Sequence, residues 1–354
     1  MEQSTKTCEL LIAHYKAYPN LQIQDVFKFL HQSALGCEHL VSSLEKATGF
    51  IAEEYNGLQN KETTVIEPLD GAYSRVPLSY LNGGLSADTF GKLFFESAKQ
   101  EPNGMPALLE KIKVAEQLVC EGVLPFSKKG FDEALQKWES QGYDALHHSD
   151  IFKRNYQPQY RVISNKFVPF LPLFSEVDKR LKKGRVTLAI EGGSASGKTT
   201  LSGVLENLYD CTVFHMDDFF LQPHQRTPRR FAEVGGNIDW ERFLSEVLVP
   251  LHNGETVKYR KFDCSTMSLT EEMQVTPKKL TIIEGAYSMH PQLEKYYDLS
   301  VFLEISQNLQ RERILHRNSP ELAQRFFNEW IPLEQTYFTE TQIEQRCSMV
   351  IGVL

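Results

Sequence analysis

Gly192-Gly193-Ser194-Ala195-Ser196-Gly197-Lys198-Thr199 satisfies every fixed position of G-x-x-x-x-G-K-[ST], the Walker A pattern. The apolar run 185–191 (RVTLAIE) leads into it with the character of a buried strand. Behind it, Leu201, Val204, Leu205 and Leu208 recur at helical spacing. A strand, a glycine-rich loop and a helix in that order predict a phosphate-binding loop. Glycine lets such a loop turn through positive φ and approach a phosphate closely, and its amides then converge at the helix N-terminus. Lys198 is expected to reach the β- and γ-phosphates, Thr199 to offer its hydroxyl to Mg²⁺, and Thr200 to complete the phosphate-binding stretch. The implied ligands are a nucleoside triphosphate and Mg²⁺.

At 354 residues the chain has room for about two domains. Hydrophobic and charged contents of 41% and 24% are those of a globular protein. A net charge of -8 argues against a protein that coats nucleic acid, which shows a basic face. Cys8, Cys37, Cys120, Cys211, Cys264 and Cys347 form no C-x-x-C pair, which suits a reducing, cytoplasmic setting better than a disulfide framework. The N-terminus carries Glu, Lys and His through its first apolar stretch, unlike a signal peptide. No stretch approaches about 18 apolar residues, so no membrane span is expected.

Two halves differ in pattern. Residues 1–171 read as a mainly α-helical domain, with helices expected over 5–15, 24–35, 40–55, 87–99, 105–120 and 130–140. A proline-started linker helix is expected within 172–184. From 185 to 354, apolar strands at 185–191, 211–216, 280–284, 299–305 and 348–353 alternate with helical stretches. That pattern predicts an α/β domain, a P-loop NTPase parallel sheet with helices on both faces.

The strand 211–216 runs into Asp217-Asp218-Phe219-Phe220, and acids at the carboxyl end of a parallel strand point toward the ligand crevice. One of them there can take the proton of an attacking hydroxyl, or merely cap the next helix. The strand 280–284 ends in Glu284, placed for Mg²⁺ or for solvent. Arg311, Arg313 and Arg317 supply guanidinium groups suited to phosphoryl charge.

These residues resemble the uridine kinase-like branch of P-loop kinases, which includes nicotinamide riboside kinases and phosphoribulokinases. The family pattern reads here as GGSASGKT, Asp217-Asp218-Phe219-Phe220, Asn237-Ile238-Asp239, Ile282-Ile283-Glu284-Gly285 and an Arg-rich lid over 311–317. The resemblance covers the C-terminal half only. It implies a phosphotransferase that moves the γ-phosphoryl group of ATP to a hydroxyl of a nucleoside or similar small metabolite. It further implies Asp217 as the base, Glu284 as an aid to Mg²⁺, Asp239 on the sugar hydroxyls, and Arg313 and Arg317 as lid arginines beside catalytic Lys198. Phe262-Asp263 stands where nucleoside kinases carry Tyr-Asp, and Arg260-Lys261 before it is unusual for a neutral acceptor. An ATP-driven sensor coupled to the first half is the alternative from another class.

No motif fixes the role of the first half. Completing the acceptor pocket, regulation, homo-oligomerisation and a linked reaction all stay open. Cys37, His39, His147 and His148 offer a second metal or catalytic site, against which Cys37 reads better as a small buried residue. Tyr160-Arg161 can bind an anion or simply pack.

Overall fold

The computed structural model describes residues 2–37, 43–58, 65–99 and 104–353. Two compact units emerge, Met1–Ser175 and Glu176–Leu354.

In the first unit the helices are α1 (Glu2–Ala17), α2 (Ile23–Leu35), α3 (Leu44–Asn56), α4 (Ala87–Ala98), α5 (Gly104–Cys120), α6 (Lys128–Ser140) and α7 (Asp150–Tyr156). Serines set several starts. The hydroxyls of Ser43, Ser86, Ser127 and Ser149 accept from the amides of Lys46, Thr89, Gly130 and Phe152 and so cap α3, α4, α6 and α7. Ser127 thus starts α6 at Lys128, two residues ahead of the expected Gly130. The expected helix 40–55 is seen from Leu44, and its first residues lie outside the described ones.

A three-stranded antiparallel sheet joins these helices and was not legible in the sequence: β1 (Glu67–Pro68), β2 (Tyr73–Pro77) and β3 (Tyr160–Ser164), in the order β1-β2-β3. Every residue of β2 is buried, so the alternation that betrays a half-exposed strand is absent. Glu67 pairs with Arg75, Arg75 with Val162 and Pro77 with Tyr160. Directly paired residues share a face, so these side chains stand together on one side of the sheet.

Helix α8 (Leu171–Leu181) leads to the second unit's strands: β4 (Val186–Gly192), β5 (Cys211–His215), β6 (Val257–Tyr259), β7 (Phe262–Asp263), β8 (Ser268–Leu269), β9 (Met273–Val275), β10 (Leu280–Glu284), β11 (Leu299–Ile305) and β12 (Met349–Val353). Five of them form a parallel sheet in the order β12-β11-β4-β10-β5, flanked by helices, while β6 pairs with β9 and β7 with β8 as antiparallel ribbons. The fold is the expected P-loop α/β architecture. β4 is central, and the chain passes to β10 and β5 on one side and to β11 and β12 on the other. Such a reversal opens a crevice at the carboxyl ends of the strands, where ligands of open α/β sheets bind. Ala189, Phe214, Phe219, Phe243, Ile283 and Tyr337 belong to the buried cluster that holds the crevice rigid. Among the described residues no helix is long and apolar enough to cross a membrane.

Candidate active site

β4 ends at Gly192, and helix α9 (Lys198–Leu208) begins at Lys198, so residues 193–197 form the intervening loop. Gly192 has φ +146°, and a Cβ there would lie 2.7 Å from the Leu303 carbonyl oxygen. Ala195 also adopts a positive φ, 62°, a conformation that L-residues other than Asn and Asp seldom take. Lys198 Nζ curls back to donate to the carbonyls of Gly192 (2.8 Å) and Gly193 (2.9 Å). These are neutral acceptors, and phosphate oxygens would compete well for the ammonium.

The carboxylates expected around the loop come from other strands. Glu284 ends β10, is buried, and accepts from Thr199 Oγ1 (3.3 Å) and from His215 Nδ1 (2.6 Å). The same hydrogen bond raises the His215 pKa and favours its charged form. Thr199 and Glu284, 85 positions apart in sequence, therefore meet as two hard oxygen donors, a set suited to Mg²⁺ shared with phosphate oxygens. Asp217 lies in a single 3₁₀ turn (Met216–Phe219) directly after β5. Desolvation raises its pKa, and the Lys198 charge opposes that rise. Asp218 is engaged by Lys261 Nζ at 3.0 Å.

Two acids near the loop carry no sequence signal. Glu191, the penultimate residue of β4, is fully buried. It accepts from the amides of Gly192 (2.9 Å), Tyr287 (3.1 Å) and Met289 (2.9 Å) and from the Tyr337 hydroxyl (3.2 Å). Burial pushes its pKa up to about 7 despite those donors. It ties the start of the phosphate loop to the segment after β10. Glu334 accepts from the Ser194 amide (2.8 Å) and hydroxyl (2.6 Å), and burial raises its pKa against the pull of Lys198. Only tertiary contact across 140 positions brings Glu334 to the loop.

The Arg-rich stretch forms α10 (Gln307–Arg317), capped by Ser306. Gln310 Nε2 donates to the Ser194 carbonyl (2.8 Å) and Arg313 Nη1 to that of Ala195 (3.2 Å). Arg317 and Arg311 instead lie over the Phe326 and Phe327 rings. Of the three arginines, Arg313 is the one placed against the loop.

The acceptor-side candidates are dispersed. Asp239 is buried and caps the short helix Trp240–Phe243. It accepts from the Arg242 amide (3.2 Å), the Arg242 Nε (3.4 Å) and Gln225 Nε2 (3.0 Å). Phe262 is buried with the Arg226 guanidinium 5.5 Å from its ring centre, and Asp263 accepts from the Ser265 amide and hydroxyl. In the first unit, Cys37 is buried with its thiol pushed up to about 12 by burial, and His39 lies outside the described residues. His148 is a buried ring hydrogen-bonded to Asp25 and Tyr160, while His147 contributes its carbonyl to Gln24. Arg161 pairs with Glu54. Among the described residues no cluster of three or more His, Cys, Asp or Glu is arranged for a metal.

Residues 187–324 match the model of the Phosphoribulokinase / Uridine kinase family. The C-terminal half belongs to that family. The matched span runs from β4 through α10 and so takes in β5 and β10. A curated relative, the bifunctional α-galactosidase/sucrose kinase AgaSK of Mediterraneibacter gnavus, is 31% identical over 181 residues, which is 43% of this chain and 19% of that protein. The chain thus spans about a fifth of the curated relative it matches. Among solved structures, a possible uridine kinase from Bacillus stearothermophilus aligns with 51% of this chain and 98% of its own, at 21% identity and a TM-score of 0.37. A shikimate kinase from Bacteroides thetaiotaomicron aligns with 47% of this chain and 86% of its own, at 11% identity and a TM-score of 0.27.

Proposed function

We propose that the C-terminal unit is an ATP- and Mg²⁺-dependent kinase that transfers the γ-phosphoryl group to a hydroxyl of a small molecule. The observation that carries this reading is the convergence of Lys198, Thr199, Glu284 and Asp217 at the carboxyl ends of adjacent strands β4, β10 and β5. A unit that only bound nucleotide would have no need of an acid in the acceptor-base position.

The loop amides and Lys198 would bind and orient the triphosphate. Mg²⁺, when bound between Thr199 and Glu284, would neutralise charge on the phosphates. Asp217 would accept the proton of the attacking hydroxyl, and its raised pKa makes it a better base than an ordinary aspartate. Arg313 would meet the charge that spreads over the transferred group, because a guanidinium makes paired contacts with phosphoryl oxygens. Positioning and charge neutralisation supply the rate enhancement. On the acceptor side, Asp263 and Phe262 would border the pocket, and Asp239 would position Arg242 and Gln225 around it.

The acceptor is proposed to be a polyhydroxy compound, a nucleoside or a sugar. The family name supports both, and the similarity to the α-galactosidase/sucrose kinase AgaSK supports the sugar. The test is ATP-to-ADP conversion with Mg²⁺ across nucleosides, ribose, fructose and sucrose, with Asp217→Asn as control. Acceptor-stimulated turnover with a phosphorylated product, lost in the control, is expected. ATP binding without any acceptor-dependent turnover would refute the kinase and favour an ATP-driven sensor.

A further inference from the structure

The first unit contains a cleft of about 450 Å³ that nothing in the kinase chemistry uses. Its walls include Glu67, Arg75 and Pro77 from β1 and β2, Tyr160 from β3, Ser79 from the 3₁₀ turn after β2, and the rings of Tyr18, Phe152 and Tyr156. The pairings of β1 with β2 and β2 with β3 explain why four of these come from one sheet face.

Behind that wall runs an unbroken series of polar side chains. Asp25 Oδ1 meets His148 Nδ1 (2.9 Å), and His148 Nε2 meets the Tyr160 hydroxyl (2.7 Å). Gln32 Oε1 lies 3.3 Å from that hydroxyl and accepts from Arg75 Nε (2.8 Å), and Arg75 Nη1 donates to Glu67 (3.1 Å). Asp25, Gln32, Arg75 and His148 are all buried. Apolar residues of the same size would hold a small sheet against its helices at lower desolvation cost, so a buried polar chain of this length suggests a use beyond stability.

The series is also incomplete on the cleft side. Arg75 Nη2 and Ser79 Oγ have no hydrogen-bond partner among the described residues, although Arg75 is only 2% and Ser79 5% exposed. Leaving buried donors unsatisfied costs on the order of 1–3 kcal/mol each. Two of them on the wall of one cleft are the signature of groups that a ligand satisfies. The charge of the cleft then limits what the ligand can be. Among the described residues Arg75 and Glu67 are its charged lining residues, and they pair with one another. An added anion would face Glu67, and an added cation would face Arg75. What fits is a neutral group with an acceptor for Arg75 and Ser79 beside a donor for Glu67, carried on a flat body that can stack among the tyrosine and phenylalanine rings.

We propose that this cleft is a binding site for a neutral planar heterocycle presenting a lactam edge, a ring carbonyl next to a ring N–H. Arg75 Nη2 and Ser79 Oγ donate to the carbonyl, Glu67 accepts from the N–H, and Tyr156 and Tyr160 border the ring.

The test uses ligand-observed NMR on the full chain with 2-pyridone and uracil as probes, and benzoate and benzylamine as charged controls of similar size. The expected result is saturable binding of at least one lactam. Ser79→Ala weakens it about 2- to 12-fold, the loss of one hydrogen bond. Tyr156→Ala, a partly exposed wall residue whose removal leaves the core intact, weakens it as well. Asp217→Asn in the kinase unit leaves it unchanged. Absence of saturation by either lactam at concentrations on the order of 10 mM would overturn the proposal, as would tighter binding of benzoate or benzylamine. Weakening by Asp217→Asn but not by Ser79→Ala or Tyr156→Ala would place the probe in the kinase unit and overturn it too.

Discussion

Glu191→Gln tests whether the buried acid beneath the phosphate loop holds its charge at a cost. Four donors converge on its two oxygens: the amides of Gly192 and Tyr287 on Oε1, and the Met289 amide and Tyr337 hydroxyl on Oε2. Glutamine keeps one acceptor oxygen and turns an NH₂ toward the other pair. The favoured orientation retains Oε1, because the Tyr337 hydroxyl can rotate while an amide cannot, so the Met289 N–H is orphaned at roughly 1–3 kcal/mol. That loss is independent of pH. The opposing contribution is not. The folded-state pKa of Glu191 is about 7 against an ordinary value of 4.5. The native state therefore binds more protons than the unfolded state between those values, and wild-type stability falls as pH rises through that window. At about 1.4 kcal/mol per pH unit of displacement, the full loss is about 3 kcal/mol, of which about 2 kcal/mol falls between pH 5 and pH 8. The variant lacks this slope. Urea unfolding of both proteins at pH 5 and pH 8 should show the variant clearly less stable at pH 5, and the gap closing or reversing by about 2 kcal/mol at pH 8. Equal pH slopes for the two proteins would refute the reasoning, since they would mean that Glu191 titrates alike in the folded and unfolded chain.

Asp217→Asn should lower turnover by roughly 10²- to 10⁴-fold while ATP affinity, followed by equilibrium titration, stays near that of the wild type; normal turnover would remove Asp217 as the base. Arg313→Ala should reduce kcat far more than Arg317→Ala, because Arg313 touches the loop and Arg317 rests on Phe326; equal effects in steady-state assays would count against that distinction. Asp239→Ala should cost at least about 1 kcal/mol in urea unfolding, from the lost cap of Trp240–Phe243 and the stranded Arg242. Unchanged stability with only a raised acceptor KM would show instead that its charge is directed to the substrate. Glu284→Ala should raise the Mg²⁺ concentration needed for half-maximal turnover, and an unaltered Mg²⁺ dependence would exclude it from the metal site.

By itself the sequence determined the phosphate loop, because GGSASGKT is a local demand: its glycines, lysine and threonine act within one loop, and the apolar run before it and the helical spacing after it are also local. The five parallel strands were legible for the same reason, each being a short continuous apolar run that a buried strand requires. Helix starts were less legible, since one serine hydroxyl decides them. What only the tertiary structure decided is which distant residues share a site. Glu334 carries no motif and reaches Ser194 through helix packing alone. Glu191 reads as the end of an apolar strand until Tyr287, Met289 and Tyr337 close around it. Arg313 and Arg317 are four positions apart on one helix, and only its placement sets one on the loop and the other on a phenylalanine ring. The small sheet of the first unit was hidden because β2, buried throughout, alternates nothing. Its pairing of Pro77 with Tyr160 joins segments more than 80 positions apart, a separation that no local pattern encodes.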